Sequence, residues 1–160
     1  LLLMIECLFV NKPFPDQPPE VEIGNKEYKR YFSFRYLNEY MKKSRNSDSI
    51  ETSLETKRKR KRKRNNNKIS EQRVQNILNQ RASQMLYRIH EGYGKALYLF
   101  GVDDNGTVYG LDNDQFKDTL FYLEKIVEII GAKIKSIKFY PCSDNNKRQV
   151  ITCRIIRELN

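Results

Sequence analysis

The sequence predicts an α+β layered domain, ordered β-α-β-β-α-β-β, with one long basic insert looped out of it. Three observations lead there. Two stretches, 74–89 and 116–130, carry apolar residues in steps of three and four, the spacing of a helix with one buried stripe. Between and after them lie short runs that are continuously apolar or alternate every second residue, the mark of strands. The stretch 43–69 has no apolar periodicity and carries nearly all of the net charge.

Each element has its own signal. The opening run, Leu1 to Val10, lacks a basic leader and is interrupted by Glu6, with Pro13, Pro15, Pro18 and Pro19 close behind. It reads neither as a secretion signal nor as a membrane span, which takes about 20 apolar residues, but as a short strand within an N-terminal extension, 1–20. Glu27 to Phe34 alternates polar and aromatic residues as a strand does. Ser70 is placed to cap a helix whose stripe is Val74, Ile77, Leu78, Ala82, Met85, Leu86 and Ile89. Gly92-Tyr93-Gly94 ends it, and Ala96 to Val102 is a central strand. Asn105-Gly106 is a hairpin turn signal, with Thr107 to Leu111 as the returning strand. Asn113 or Asp114 opens a second helix with stripe Phe116, Leu120, Leu123, Val127 and Ile130, closed by a left-handed Gly131. Residues 133–140 and 149–157 form the last hairpin. The folded domain is thus 21–42 with 70–160, and 43–69 is a disordered insert.

The charge is unevenly placed. Of the net +10, residues 41–69 hold +9, from twelve basic against three acidic side chains; the rest of the chain is nearly neutral. Lys57, Arg58, Lys59, Arg60, Lys61, Arg62, Lys63 and Arg64 form an unbroken basic run. Such a run fits a charge-rich expansion without a ligand, an RNA contact through phosphate neutralisation, or a nuclear import signal. No aromatic residue interrupts it, so it offers no base stacking.

The three cysteines, Cys7, Cys142 and Cys153, form no CxxC pair and no even framework, which fits a reducing, cytoplasmic setting. With one histidine, His90, no zinc-ligand spacing is present. Gly94-Lys95 lacks the partner glycine and the Ser/Thr of a phosphate-binding loop, and it precedes a strand where such a loop precedes a helix. Glu22 and Glu27 flank the Gly24-Asn25 turn at the start of the first strand, and Asp103 and Asp104 end the central strand; carboxylates at adjacent strand ends converge if they are to hold a divalent metal. As turn and surface residues they equally well bond local backbone and solvent.

The stretches PPEVEIGNKEYK (18–29), RASQMLYRIHEGYG (81–94), ALYLFGVDDNGTVYGL (96–111) and IIGAKI (129–134) together carry a resemblance. In that order they resemble the N-terminal region of the GTP-binding protein 1 and GTP-binding protein 2 family, elongation factor Tu-like translational GTPases. The resemblance implies an accessory domain contacting RNA, the ribosome or its own G domain. GTP and Mg²⁺ would belong to that G domain, which would begin about where this chain stops, so no cofactor is expected here. Separately, Glu22-x4-Glu27-x-Lys29 with Gly101-Val102-Asp103 is similar to the AlbA-like domain of Schlafen proteins. There the matching positions Glu22, Glu27 and Asp103 would form a metal site for RNA cleavage, with Lys29 on a phosphate. Neither resemblance implies a membrane partner.

Overall fold

The computed structural model describes residues 5–32, 55–143 and 147–158, with the backbone path alone for 55–70. The elements in chain order are β1 (Glu6–Phe9), β2 (Lys26–Lys29), α1 (Glu55–Glu91), β3 (Lys95–Phe100), α2 (Asn113–Ile129), β4 (Lys133–Pro141) and β5 (Gln149–Ile156). The architecture is α+β, as expected, with a five-stranded mixed sheet in the order β1-β4-β5-β3-β2. The chain divides into two compact units, 1–33 with 81–160, and 34–80. The first holds the whole sheet, α2 and the C-terminal turns of α1; the described part of the second is the helical stretch 55–80.

The three central strands are joined antiparallel, β4 to β5 and β5 to β3, while the two edge strands add on parallel, β1 to β4 and β2 to β3. Register lines Glu27 up with Tyr98, then Cys153, Ile137 and Cys7, in one cross-strand row. Side chains alternate across a strand, so Tyr28 and Leu99 point to the opposite face from Glu27 and Tyr98. There Tyr28, Leu99, Val102, Cys142 and Val150 form a buried cluster, covered by Phe14 of the proline-rich segment together with Val108 and Tyr140. On the Glu27 face, Phe116 of α2 lies 5.5 Å from Phe139, and Phe32 packs edge-on to Phe100 at 4.9 Å. The proline-rich segment is therefore the second cover of the sheet.

Several expectations need correction. The first helix begins at Glu55, not at Ser70. The stretch 55–69, expected to be disordered, is helical: it contains neither Gly nor Pro, and Lys and Arg are good helix formers once a helix is nucleated C-terminal to them. Residues 43–54 of the insert lie outside the described residues. The second strand ends at Lys29; residues 33 and 34 of the longer strand expected there are also outside them.

The returning arm 107–111 is not a strand. It keeps only two isolated bridges, Val102 to Val108 and Leu111 to Gln149. Gly101 (φ +93°) and Gly110 (φ +75°) bend the two arms out of extended geometry. The amides of Tyr109 and Gly110 both donate to the Gly101 carbonyl, at 2.8 and 2.9 Å. The turn between the arms also differs, because only Gly106 has positive φ, as in a three-residue hairpin loop.

In α2 the cap is Asp112, one residue before the two candidates, and it forms a capping box with Gln115. The buried face is Thr119, Tyr122, Leu123, Ile126 and Val127. The expected stripe is thus rotated, leaving Phe116, Leu120 and Ile130 half-buried. At the far end Gly131 (φ +63°) closes the helix as expected: the amides of Gly131 and Ala132 donate to Glu128 and Val127, a Schellman cap.

Two glycines separate conformational from steric constraint. A Cβ on Gly131 would meet nothing within 4 Å, whereas one on Gly101 would lie 2.9 Å from the Gly110 Cα. In chemical denaturation, Gly131→Ala should cost about 1–2 kcal/mol, the left-handed penalty alone. Gly101→Ala should cost clearly more, because two backbones must separate; equal losses would contradict this close approach.

Candidate functional site

The densest polar constellation surrounds Arg88, in the last turns of α1. Its side chain is buried, and its neighbours on the helix, Met85 and Ile89, are wholly so. Five acceptors surround the guanidinium. Nε donates to Glu27 Oε2 at 2.6 Å, and Nη2 donates to Glu20 Oε1 at 3.1 Å. Nη1 donates to the carbonyls of Val21, Glu22 and Gly24, each at 3.1 Å. One side chain thus ties the helix to the β2 carboxylate and closes the 21–24 turn. Arg suits the task, since its planar fork of donors reaches several acceptors in fixed geometry.

Glu27 is fully buried, and its second oxygen is also engaged. Oε1 accepts from Gln84 Nε2 at 2.8 Å and pairs with Lys29 Nζ at 2.5 Å. Glu20 extends the network, because its other oxygen accepts the Tyr28 amide. Burial raises the Glu20 pKa above its ordinary value; the Tyr28 amide opposes the shift, Glu27 adds to it, and Arg88 and Lys29 oppose it. The pairing with Arg88 is real in geometry, yet desolvation outweighs it. Beside this network stands Tyr98, whose buried hydroxyl has no hydrogen-bond partner among the described residues. Burial first, and the Glu27 charge second, push its pKa far above the ordinary tyrosine range.

The carboxylates singled out in the sequence are separated by this arrangement. Glu27 is enclosed by Arg88, Lys29 and Gln84. Glu22 is exposed and enters the network only through its backbone carbonyl. Asp103 opens the 103–106 turn, its amide bonded to Thr107 and its carbonyl to Gly106. Among the described residues no three His, Cys, Asp or Glu side chains are grouped to hold a metal. Lys29 is held to Glu27 and so has a structural partner already. The basic positions 57–64 lie on the helical backbone of α1.

Sequence reasoning missed Arg88 and Glu20. Arg88 lies four residues beyond Gln84, and both border the apolar stripe where a polar residue needs a buried partner. That was the readable signal, since buried charges come paired. Of the other residues noted, Cys153 is fully buried and its thiol is shifted upward by burial, as a core position demands. Tyr93, in the Gly-Tyr-Gly loop that ends the helix, is 92% exposed, with a left-handed φ of +54°.

No protein-family model and no solved structure matches the chain. Over 61 residues, 38% of this chain, it is 41% identical to an uncharacterised protein, R625, of Acanthamoeba polyphaga mimivirus. Over 56 residues, 35% of this chain, it is 38% identical to GTP-binding protein 2 of mouse and of human. The aligned part spans 33% of the viral protein and 9% of GTP-binding protein 2. The second similarity supports a distant, partial relation to GTP-binding protein 2. Among the described residues no helix is long and apolar enough to cross a membrane.

A buried ion pair that loses one member leaves an uncompensated charge, which costs about 3–5 kcal/mol. Arg88→Ala should lower unfolding stability by that amount in urea titration. A loss below about 1 kcal/mol would show that the network contributes little.

Proposed function

We propose that this chain is an RNA-binding accessory domain of a polypeptide related to GTP-binding protein 2, and that it engages RNA, free or within the ribosome, through the basic half of α1. The observation that carries the reading is the unbroken run Lys57 to Arg64, eight basic residues on one helical backbone. At about 1.5 Å of rise per residue the run places one charge per 1.5 Å, close to the charge density of a nucleic-acid duplex. The partial similarity to GTP-binding protein 2 supports the accessory role. In that setting nucleotide hydrolysis belongs to a G domain, with its GTP and Mg²⁺, because no phosphate-binding loop is present in this sequence.

A metal-dependent RNase centred on Glu22, Glu27 and Asp103 is the competing reading. The geometry favours binding over cleavage, since both oxygens of Glu27 are held by cationic or amide partners. A cytoplasmic site of action fits the three cysteines without a pairing framework, and the basic run 57–64 fits a nuclear import signal as the alternative location.

Fluorescence anisotropy with a single-stranded RNA tests the reading. If all eight positions meet phosphates, log K should fall with log salt with a slope of about −5 to −6. Replacing Lys57 to Arg64 by glutamine should remove most of that slope and most of the affinity at low salt. An unchanged slope would move RNA binding off this helix and overturn the proposal.

A further inference from the structure

The basic helix offers charge but no surface for a base. Such a surface exists elsewhere in the sheet-bearing unit. A cavity of about 680 Å³ lies between the proline-rich segment and the 107–109 arm, with Cys142, Ser143 and Arg148 along its remaining side. Its volume is within the range of small-ligand sites, about 300–1,000 Å³. We propose that this cavity receives one unpaired nucleotide of a single-stranded RNA. The inference rests on the RNA-binding reading above and adds a second, stacking contact to it.

The chemistry of the walls points to a nucleotide. Tyr109 lines the cavity at 40% exposure, and the Arg30 guanidinium lies over its ring, 4.1 Å from the centroid. An aromatic ring backed by a guanidinium is a flat, cationic platform, and every base has a π-face to lay against one. Arg148, exposed at the mouth, supplies a planar pair of donors for a phosphate. Asp16 is also in the wall, with Oδ1 accepting the Val108 amide at 3.4 Å. A carboxylate repels a phosphate but accepts from base N–H and amino groups. The two charges therefore orient the ligand, with the base toward Asp16 and Tyr109 and the phosphate toward Arg148.

The walls are set before a ligand arrives. The Phe14 amide donates to the Pro141 carbonyl at 3.1 Å, and the Gln17 amide to the Gly106 carbonyl at 3.0 Å. Pro13 and Pro15 restrict the backbone on either side of the Phe14 anchor, so little ordering remains for binding to impose. Gly110 lies behind the same wall: a Cβ there would run into the Cys142 sulfur and come 2.9 Å from the Arg148 Cβ. A side chain at that position would displace two lining residues at once.

The test compares a labelled U-rich RNA decamer with an RNA duplex of equal length. Tyr109→Leu should weaken decamer binding about tenfold, the scale of one lost base stack. It should leave duplex binding and the salt slope unchanged. Arg148→Gln should weaken the decamer and reduce the slope by about one contact. Wild-type decamer affinity in Tyr109→Leu would overturn the cavity proposal, as would a free mononucleotide binding as tightly as the decamer. The glutamine replacement of residues 57–64 keeps the two readings apart. If it loses the salt slope while Tyr109→Leu changes nothing, the helix binds RNA and the cavity does not. If the wild-type chain binds neither RNA, both readings fail. Independently of any variant, photocrosslinking the wild-type chain to a 4-thiouridine decamer should label Tyr109 or Phe14. Adducts confined to 57–64 would also overturn the proposal.

Discussion

A guanidinium taken out of water needs an acceptor for nearly every N–H, or it is expelled. Arg88 meets that condition with two glutamates and three backbone carbonyls, and each belongs to the segment 20–27. The edge strand β2 is only four residues long and pairs on one side with β3. Without Arg88 the turn before it would have three carbonyls to satisfy elsewhere, and Glu27 would be a buried carboxylate with a single cation. The bridge therefore decides where β2 lies, and through it the register of Glu27 beside Tyr98 and of Tyr28 beside Leu99. From that register follow the two faces of the sheet. One meets α2 and the end of α1, and the other is covered by Phe14 and its neighbours.

The same bridge changes the meaning of the acidic residues. Carboxylates near strand ends invite a catalytic reading, because metal-dependent cleavage needs converging oxygens. Here convergence happens around an arginine. A carboxylate neutralised by Arg88 and Lys29 is a structural anion, and its charge is spent on holding elements together. In the proposed reading the groups that meet RNA are the basic run of α1 and, around the cavity, Arg30, Tyr109 and Arg148. Phosphate neutralisation supplies affinity without discrimination, and stacking supplies preference for unpaired strands. The two proposed contacts are complementary in kind.

Much of the fold was legible because it depends on local pattern. The strands at 95–100, 133–141 and 149–156 follow from apolar runs, and the Gly131 stop follows from the need for a left-handed residue. What was not legible depends on partners distant in sequence. The arm 107–111 alternates well enough for a strand. Its pairing is lost because Gly101 and Gly110 meet backbone to backbone, a contact no single segment announces. The rotation of the α2 face comes from Thr119, whose hydroxyl accepts the Phe32 amide at 3.1 Å, so a polar residue is buried where an apolar one was expected. The start of α1 was misplaced because like charge was weighed above helix propensity. In the candidate site, Glu27 and Lys29 stand out in the sequence as candidate contacts for a metal and a phosphate. Glu27 in fact pairs with Lys29 and with Arg88, 61 residues later in the chain, and Arg88 in turn binds Glu20.

Whether Arg88 is an internal bridge or an open anion site can be read directly from its Nε–H resonance by nitrogen-15 NMR on the full chain. With the proton buried against Glu27, the signal should exchange slowly with water and stay in place when single-stranded RNA is added to saturation. Fast exchange, or a shift of that resonance on RNA binding, would contradict the internal bridge and return the Glu27 cluster to the list of ligand sites.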